Sequence, residues 1–333
     1  MQYTTLGKTG LRVSVAGLGC GGNSKIGLGA GLSTAGSVAL VRAARDLGVT
    51  FFDTAEAYGT EEILGAAFSP AERASVVIST KSRILSNLIR GGERMPAAAV
   101  VANLEASLRR LRTDYVDVFL LHGVKPADYA YCEAELLPAL LAEQAKGKVR
   151  HLGLSETAPN DPEQRMLQRA LSEPRWAVFM LAFHMLNQGA RRDLFPRTMA
   201  AGVGTLLMFV VRNIFSQPGV LAATMRRLAA EGKVPAELAA KENPLEFLIH
   251  ADGAKSLTDA AYRFARHQPG ADVILFGTSR IEHLKSNVES ILSPPLPAAD
   301  VARLHALFGS LRGVGLDAPN DGKSVNQQAA RLG

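Results

Sequence analysis

The 333-residue chain has few cysteines, few aromatics and no long apolar run, and each shortage removes a class of protein. Its two cysteines, Cys20 and Cys132, lack metal-ligand spacing and suit a reducing, cytoplasmic setting without a disulfide. The seven histidines include no His-x-x-x-His pair, so no metal site is expected. No run of eighteen apolar residues occurs and the first residues are polar, which argues against a membrane span or a signal peptide. Aromatics make up 6% of the chain and form no stripe with basic residues. Lysine and arginine are scattered, with doublets such as Arg109-Arg110 and no long block, so nucleic-acid binding is not expected. The net charge of +6 reads first as a solvated surface and second as attraction for an anionic ligand.

What is present is a set of short apolar runs that end on titratable groups. Val49 to Phe52 reads as a buried strand closing on Asp53, and five residues later comes Tyr58, followed by Gly59 at a turn. Ser75 to Thr80 is a second such run and ends on Lys81. Asp114 to Leu121 is a third and ends on His122. A phenol is a poor acid at neutral pH unless a cation lowers its pKa of about 10, and Lys81 would be that cation. Taken singly, Asp53 reads as a turn residue, Tyr58 as packing, Lys81 as a surface charge and His122 as a core imidazole. Taken together at successive strand ends, they read as a site for proton chemistry.

The rest of the chain alternates strand and helix about eight times. A Gly-Lys-Thr-Gly turn near residue 8 marks an N-terminal β-hairpin. Val15–Leu18, Val149–Leu154, Trp176–Leu181, Val203–Phe209 and Asp272–Phe276 complete the strands. Helical spacing appears at Ser37–Leu47, Glu61–Ala67, Val100/Leu104/Leu108/Leu111, Ala134–Ala145, Glu163–Leu171, Ser256–His267 and Ile281/Leu284/Val288/Ile291. This pattern predicts an α/β fold, a (β/α)8 TIM barrel with its active groups at the C-terminal strand ends. The barrel core spans about 3–291 of one domain over 1–333. An insertion after the seventh strand, 212–252, carries two helical stretches, and a polar tail, 313–333, folds over the mouth or stays mobile. Gly17-Leu18-Gly19-Cys20-Gly21-Gly22 fits the spacing of a dinucleotide fingerprint. The following residues, 23–36, are rich in Gly and Ser and read as a loop, which excludes the helix that motif needs.

Phe-Asp-Thr-Ala-x-x-Tyr-Gly at 52–59, Ser-Thr-Lys at 79–81 and Asp-Tyr-Val-Asp-Val-Phe-Leu-Leu-His at 114–122 resemble the aldo-keto reductase family, over about residues 3–287. The resemblance implies a catalytic tetrad of Asp53, Tyr58, Lys81 and His122. It implies NADPH/NADP+ as cofactor, with NADH less favoured, and a small-molecule carbonyl or alcohol substrate. It places the adenosine 2′-phosphate on the loop Gly277-Thr278-Ser279-Arg280, with His283 and Asn287 on the helix that follows. Ser279 and Glu282 fit a capping box at that helix start. Gly21 would allow close approach of a flat ligand, and Ser155 matches the serine that meets the nicotinamide carboxamide.

Three departures from the family pattern stand out. Glu156 replaces the usual Asn, and as a carboxylate it would favour the oxidised, cationic ring. Met180 replaces a Gln, with Phe183 left to stack under the nicotinamide. Met208-Phe209-Val210-Val211-Arg212 replaces a Ser-Pro-Leu loop, with Arg212 reaching the pyrophosphate. The altered platform keeps a second reading open, a non-catalytic nicotinamide-binding sensor on the same barrel. Tyr129 and Tyr131, after His122, are candidates to reach the substrate.

Overall fold

The structure, a computed structural model, describes residues 1–87 and 92–316. Eight parallel strands close into a barrel: β3 (Ala16–Gly19), β4 (Phe51–Asp53), β5 (Val77–Arg83), β6 (Val116–Val124), β7 (Val149–Glu156), β8 (Trp176–Ala182), β9 (Gly204–Met208) and β10 (Val273–Phe276). The last pairs with both β9 and β3, so the sheet has no edge. The (β/α)8 barrel expected from the sequence is the observed fold.

Alternation along the strands sorts residues into two cores. Phe51, Val77, Val118, Leu120, Val178, Met180, Leu206 and Val273 fill the interior. Their strand neighbours, such as Phe52, Ile78, Phe119, Phe179 and Leu181, pack against the helices outside. The hairpin β1 (Tyr3–Thr5) and β2 (Arg12–Ser14) lies across the N-terminal end, where Leu6 and Val13 join the interior cluster with no exposed surface. Lys8 ties it to the barrel by donating its backbone N–H to Gly202 O at 2.6 Å.

Helix boundaries differ where caps outweigh composition. The stretch expected as loop through residue 36 gives way earlier to helix α1 (Thr34–Asp46), because the Ser33 hydroxyl accepts the Gly36 N–H at 3.2 Å. The insertion carries helix Val220–Ala230 and a short helix Ala236–Ala239, held down by buried Leu221, Met225, Leu228 and Leu238. A helix the sequence reading omitted, Ala298–Phe308, packs Leu304 and Phe308 into the outer core. Of the C-terminal tail, residues 313–316 lie over the strand ends: Gly313 N–H meets Asn187 Oδ1 at 3.0 Å, and Leu316 is buried beside Ala158, Ala182, Met208 and Phe209. Residues 317–333 of that expected tail lie outside the described residues. No helix among the described residues is long and apolar enough to cross a membrane.

Candidate active site

The four titratable groups at the strand ends meet at one mouth of the barrel. Pairing sets them there: Asp53 is level with Ser79, and Arg83 with His122. Lys81 is fully buried and donates to Asp53 Oδ1 at 2.8 Å, Asp53 Oδ2 at 2.6 Å and Thr54 O at 2.8 Å. Burial disfavours the ammonium, but Asp53 and Tyr58 outweigh it and hold the Lys81 pKa above the ordinary lysine value. The Lys81 Nζ lies 4.9 Å from the centre of the Tyr58 ring. Tyr58 Oη and His122 Nε2 are 3.3 Å apart, with the rings edge to face.

Burial raises the Tyr58 phenol above its ordinary value of 10.0. Lys81 pulls it down, in the direction expected from the sequence, without reversing the rise. His122 is pushed down to about 3, first by burial and then by the Lys81 charge, so its imidazole is neutral at physiological pH. Gly21 faces the Tyr58 ring so closely that a Cβ there would fall 2.5 Å from it. Only glycine leaves the phenol its place.

A cavity of about 750 Å³ opens beside Tyr58. Of the residues proposed from the sequence, Gly21, Asp53, Tyr58, Met180, Arg212, Gly277, Thr278, Ser279, His283 and Asn287 line it. Asn23 and Ser24, from the loop expected to help form the pocket, Met208 and Phe209, from the stretch that replaces the Ser-Pro-Leu loop, and Tyr262, which was not foreseen, also line it. Phe209 holds a strained backbone (φ +66 in a bulky residue), which a sequence does not display. Its ring lies 4.2 Å from the Arg212 guanidinium carbon. Among the described residues no group of three or more His, Cys, Asp and Glu side chains is placed to hold a metal.

Several expected positions fall elsewhere. Phe183 is not on the cavity wall. It follows the outward-facing residues Phe179 and Leu181 on β8 and is fully buried in the helix layer. There it stacks on Phe264 at 5.8 Å and tilts against Phe195 at 5.2 Å. Glu156 is also turned away from the cavity. Its Oε1 accepts the Ala182 N–H at 2.7 Å and the Gln164 amide at 3.4 Å, while Oε2 is buried without a partner among the described residues. Burial pushes its carboxyl up to about 8, so at neutral pH it carries a proton rather than the charge expected to favour an oxidised ring. Ser155 is buried level with Met180, just behind the wall. Arg280 is exposed and is itself the N-cap of helix Ile281–Leu292, so the expected Ser279–Glu282 capping box does not form. Thr278 Oγ1 instead accepts the Arg280 N–H at 3.1 Å. Tyr129 is fully buried against Glu133, and Tyr131 donates to Met95 O at 2.7 Å, so neither faces the site.

With this geometry in hand, comparison with known proteins places the chain. The model of the "Aldo/keto reductase family" matches residues 17–308. The chain belongs to the aldo/keto reductase family. Among its relatives, "Aldo-keto reductase YhdN" of Bacillus subtilis is 28% identical over 304 residues, covering 86% of this chain and 87% of that protein. "L-galactose dehydrogenase" of Arabidopsis thaliana is 26% identical over 298 residues, covering 87% and 88%. A solved structure of aldo-keto reductase AKR11C1 from Bacillus halodurans, holo form, superposes with a TM-score of 0.71 at 20% identity, covering 95% of this chain and all of that one. At that identity the likeness concerns the fold.

Proposed function

We propose that this protein is an NADP(H)-dependent oxidoreductase that interconverts an aldehyde or ketone and the corresponding alcohol. The observation that carries the reading is the buried Lys81–Asp53 pair beneath a phenol whose Oη stands 3.3 Å from a neutral imidazole. The family membership, and the reductase and dehydrogenase names of its relatives, agree with it.

The cavity suits a long anionic cofactor. It runs from Tyr58 past Arg212 to the first turns of the twelve-residue helix Ile281–Leu292, whose N-terminus gathers positive dipole. Gly21 and Gly277 keep both ends clear of Cβ atoms. Arg212 would meet phosphate oxygens, Thr278, Ser279 and His283 would hold the adenosine end, and Asn287 would hydrogen-bond the base. A bound nicotinamide supplies or accepts the hydride. The chain's own part is the proton. Tyr58 Oη gives it to a carbonyl oxygen as negative charge develops there, and takes it back when an alcohol is oxidised. The Lys81 charge steadies the phenolate left behind, Asp53 fixes Lys81, and His122 orients the oxygen. At neutral pH the phenol is protonated, and the Lys81 charge, which pulls its pKa down against burial, is what eases release of the proton.

The test is to mix the purified protein with NADPH and an activated aromatic aldehyde and follow nicotinamide absorbance, with Tyr58→Phe alongside. Turnover by the wild type and its loss by roughly a hundredfold or more in the variant is the expected result. NADPH binding with no turnover in either protein would favour the sensor reading. Absence of NADPH binding would overturn both.

A further inference from the structure

The proposed chemistry needs Tyr58 at a fixed distance from Lys81, yet the two leave the barrel on different elements. Lys81 lies within β5, whereas Tyr58 ends a single three-residue 3-10 turn, Glu56–Tyr58, beyond β4. One backbone bond closes that turn, from Tyr58 N–H to Ala55 O at 3.0 Å, and the chain leaves it through Gly59 at φ +72. So short a turn has too few internal hydrogen bonds to hold a side chain unaided.

We propose that Glu56 is the positioning residue that fixes Tyr58 against Lys81. Its Oε1 accepts the backbone N–H of Arg83 at 2.9 Å and lies 3.6 Å from Arg83 Nε. Arg83 is the last residue of β5, two beyond Lys81; Glu56 is two before Tyr58. One carboxylate therefore joins the strand that carries the cation to the turn that carries the phenol. The Glu56 side chain is 8% exposed and Arg83 Nε is buried beside it, but at 3.6 Å that nitrogen is beyond hydrogen-bond reach, so the backbone bond is the contact that holds. A carboxylate on a strand N–H is a strong, short-reach tether. The neighbouring ties act elsewhere: the Thr54 and Thr60 hydroxyls, 2.8 Å apart, join the ends of the loop, and Thr80 Oγ1 to Glu61 Oε1 anchors the next helix, α2 (Glu61–Ala67). Neither touches the turn itself.

This inference rests on Tyr58 being the proton donor, and its test is built to separate the two. Glu56→Ala removes the acceptor; Glu56→Gln keeps an oxygen for the Arg83 N–H and loses only the charge. In the full chain, Glu56→Ala is expected to lower kcat roughly ten- to hundredfold through misplacement of the phenol. KM and NADPH affinity should stay within about twofold, and Glu56→Gln should recover most of kcat. The phenol is also read directly, by the NMR signal of ring-labelled tyrosine assigned through its loss in Tyr58→Phe. That signal is expected to shift or broaden in Glu56→Ala and to return in Glu56→Gln. An unmoved Tyr58 signal in Glu56→Ala overturns the proposal, as does a Glu56→Gln variant no better than Glu56→Ala. Should the wild type fail to turn over, the reductase reading falls while the tyrosine signal still decides the positioning role.

Discussion

Asp53 on β4 and Glu156 on β7 are carboxyl groups buried at the same end of one barrel, 4% and 3% exposed. Asp53 meets an ammonium with both oxygens; Glu156 meets a backbone N–H, a side-chain amide and no cation among the described residues. Burial raises both carboxyls; at Asp53 the Lys81 ammonium opposes the rise, whereas at Glu156 only uncharged donors do, and Glu156 is left a protonated acid. The side with β4, β5 and β6 groups Asp53, Tyr58 and His122 around the Lys81 cation, although Ser79 Oγ and His122 Nδ1 there are buried without a partner among the described residues. The side with β7 and β8 has such atoms too, Glu156 Oε2 and His184 Nε2, but no buried cation beside Glu156 among the described residues, and both of those groups are held neutral, the imidazole at about 3 chiefly by burial. A buried titratable group is therefore charged or neutral according to its partner, and depth alone does not decide.

The largest expected effect falls on the charged side. Lys81→Met should cut reductive kcat by about two to four orders of magnitude and leave Asp53 without its cation, so that melting temperature falls too. Steady-state kinetics and thermal melts check both halves, and a variant with full activity would erase the distinction between the two sides. Next comes Glu156→Gln. The Glu156 pKa rises from 4.5 to about 8 on folding, so wild-type stability should be complete below pH 4.5 and fall as pH climbs through about 8. The amide cannot ionise, so Glu156→Gln should lose that slope and gain on the order of a few kcal/mol at pH 8. Denaturant titrations at several pH values measure the difference; parallel curves would show that Glu156 already carries charge.

Smaller effects sharpen the contrast. Phe183→Leu should cost about 1–2 kcal/mol by opening space between Phe195 and Phe264, yet leave NADPH affinity unchanged, because the ring packs among helices. A weakened affinity in a titration would put Phe183 back at the cofactor. Least of all, the reductive kcat/KM should show no step near pH 6.5, since His122 stays neutral down to about 3. The oxidative rate should instead climb with pH towards the raised Tyr58 value. A bell with an acid limb near 6.5 would mean a protonated imidazole.

The parts of this molecule legible in the sequence were those with a period or a fixed terminus. Strand ends follow from apolar runs, so Asp53, Lys81 and His122 could be placed together before any contact was known. The side of a strand that a residue faces at the mouth was harder. Phe183 lies beyond the end of β8, and only the observed register shows it among the helices. Charge state was harder still, because Glu156 is protonated by its burial, helped by the Asp161 charge and opposed by the Ala182 N–H and the Gln164 amide, and no local pattern links those positions. The capping box at Ser279 failed for a similar reason. The motif was present, but Thr278 and the extended backbone at Arg280 set the helix start instead.

The hairpin under the barrel carries one more consequence. Leu6 and Val13 stop the far end and apolar side chains fill the interior between the strands, so the cavity at Tyr58 has a solid floor and no route runs through the barrel. Whatever reaches Tyr58 arrives from the side of the C-terminal strand ends.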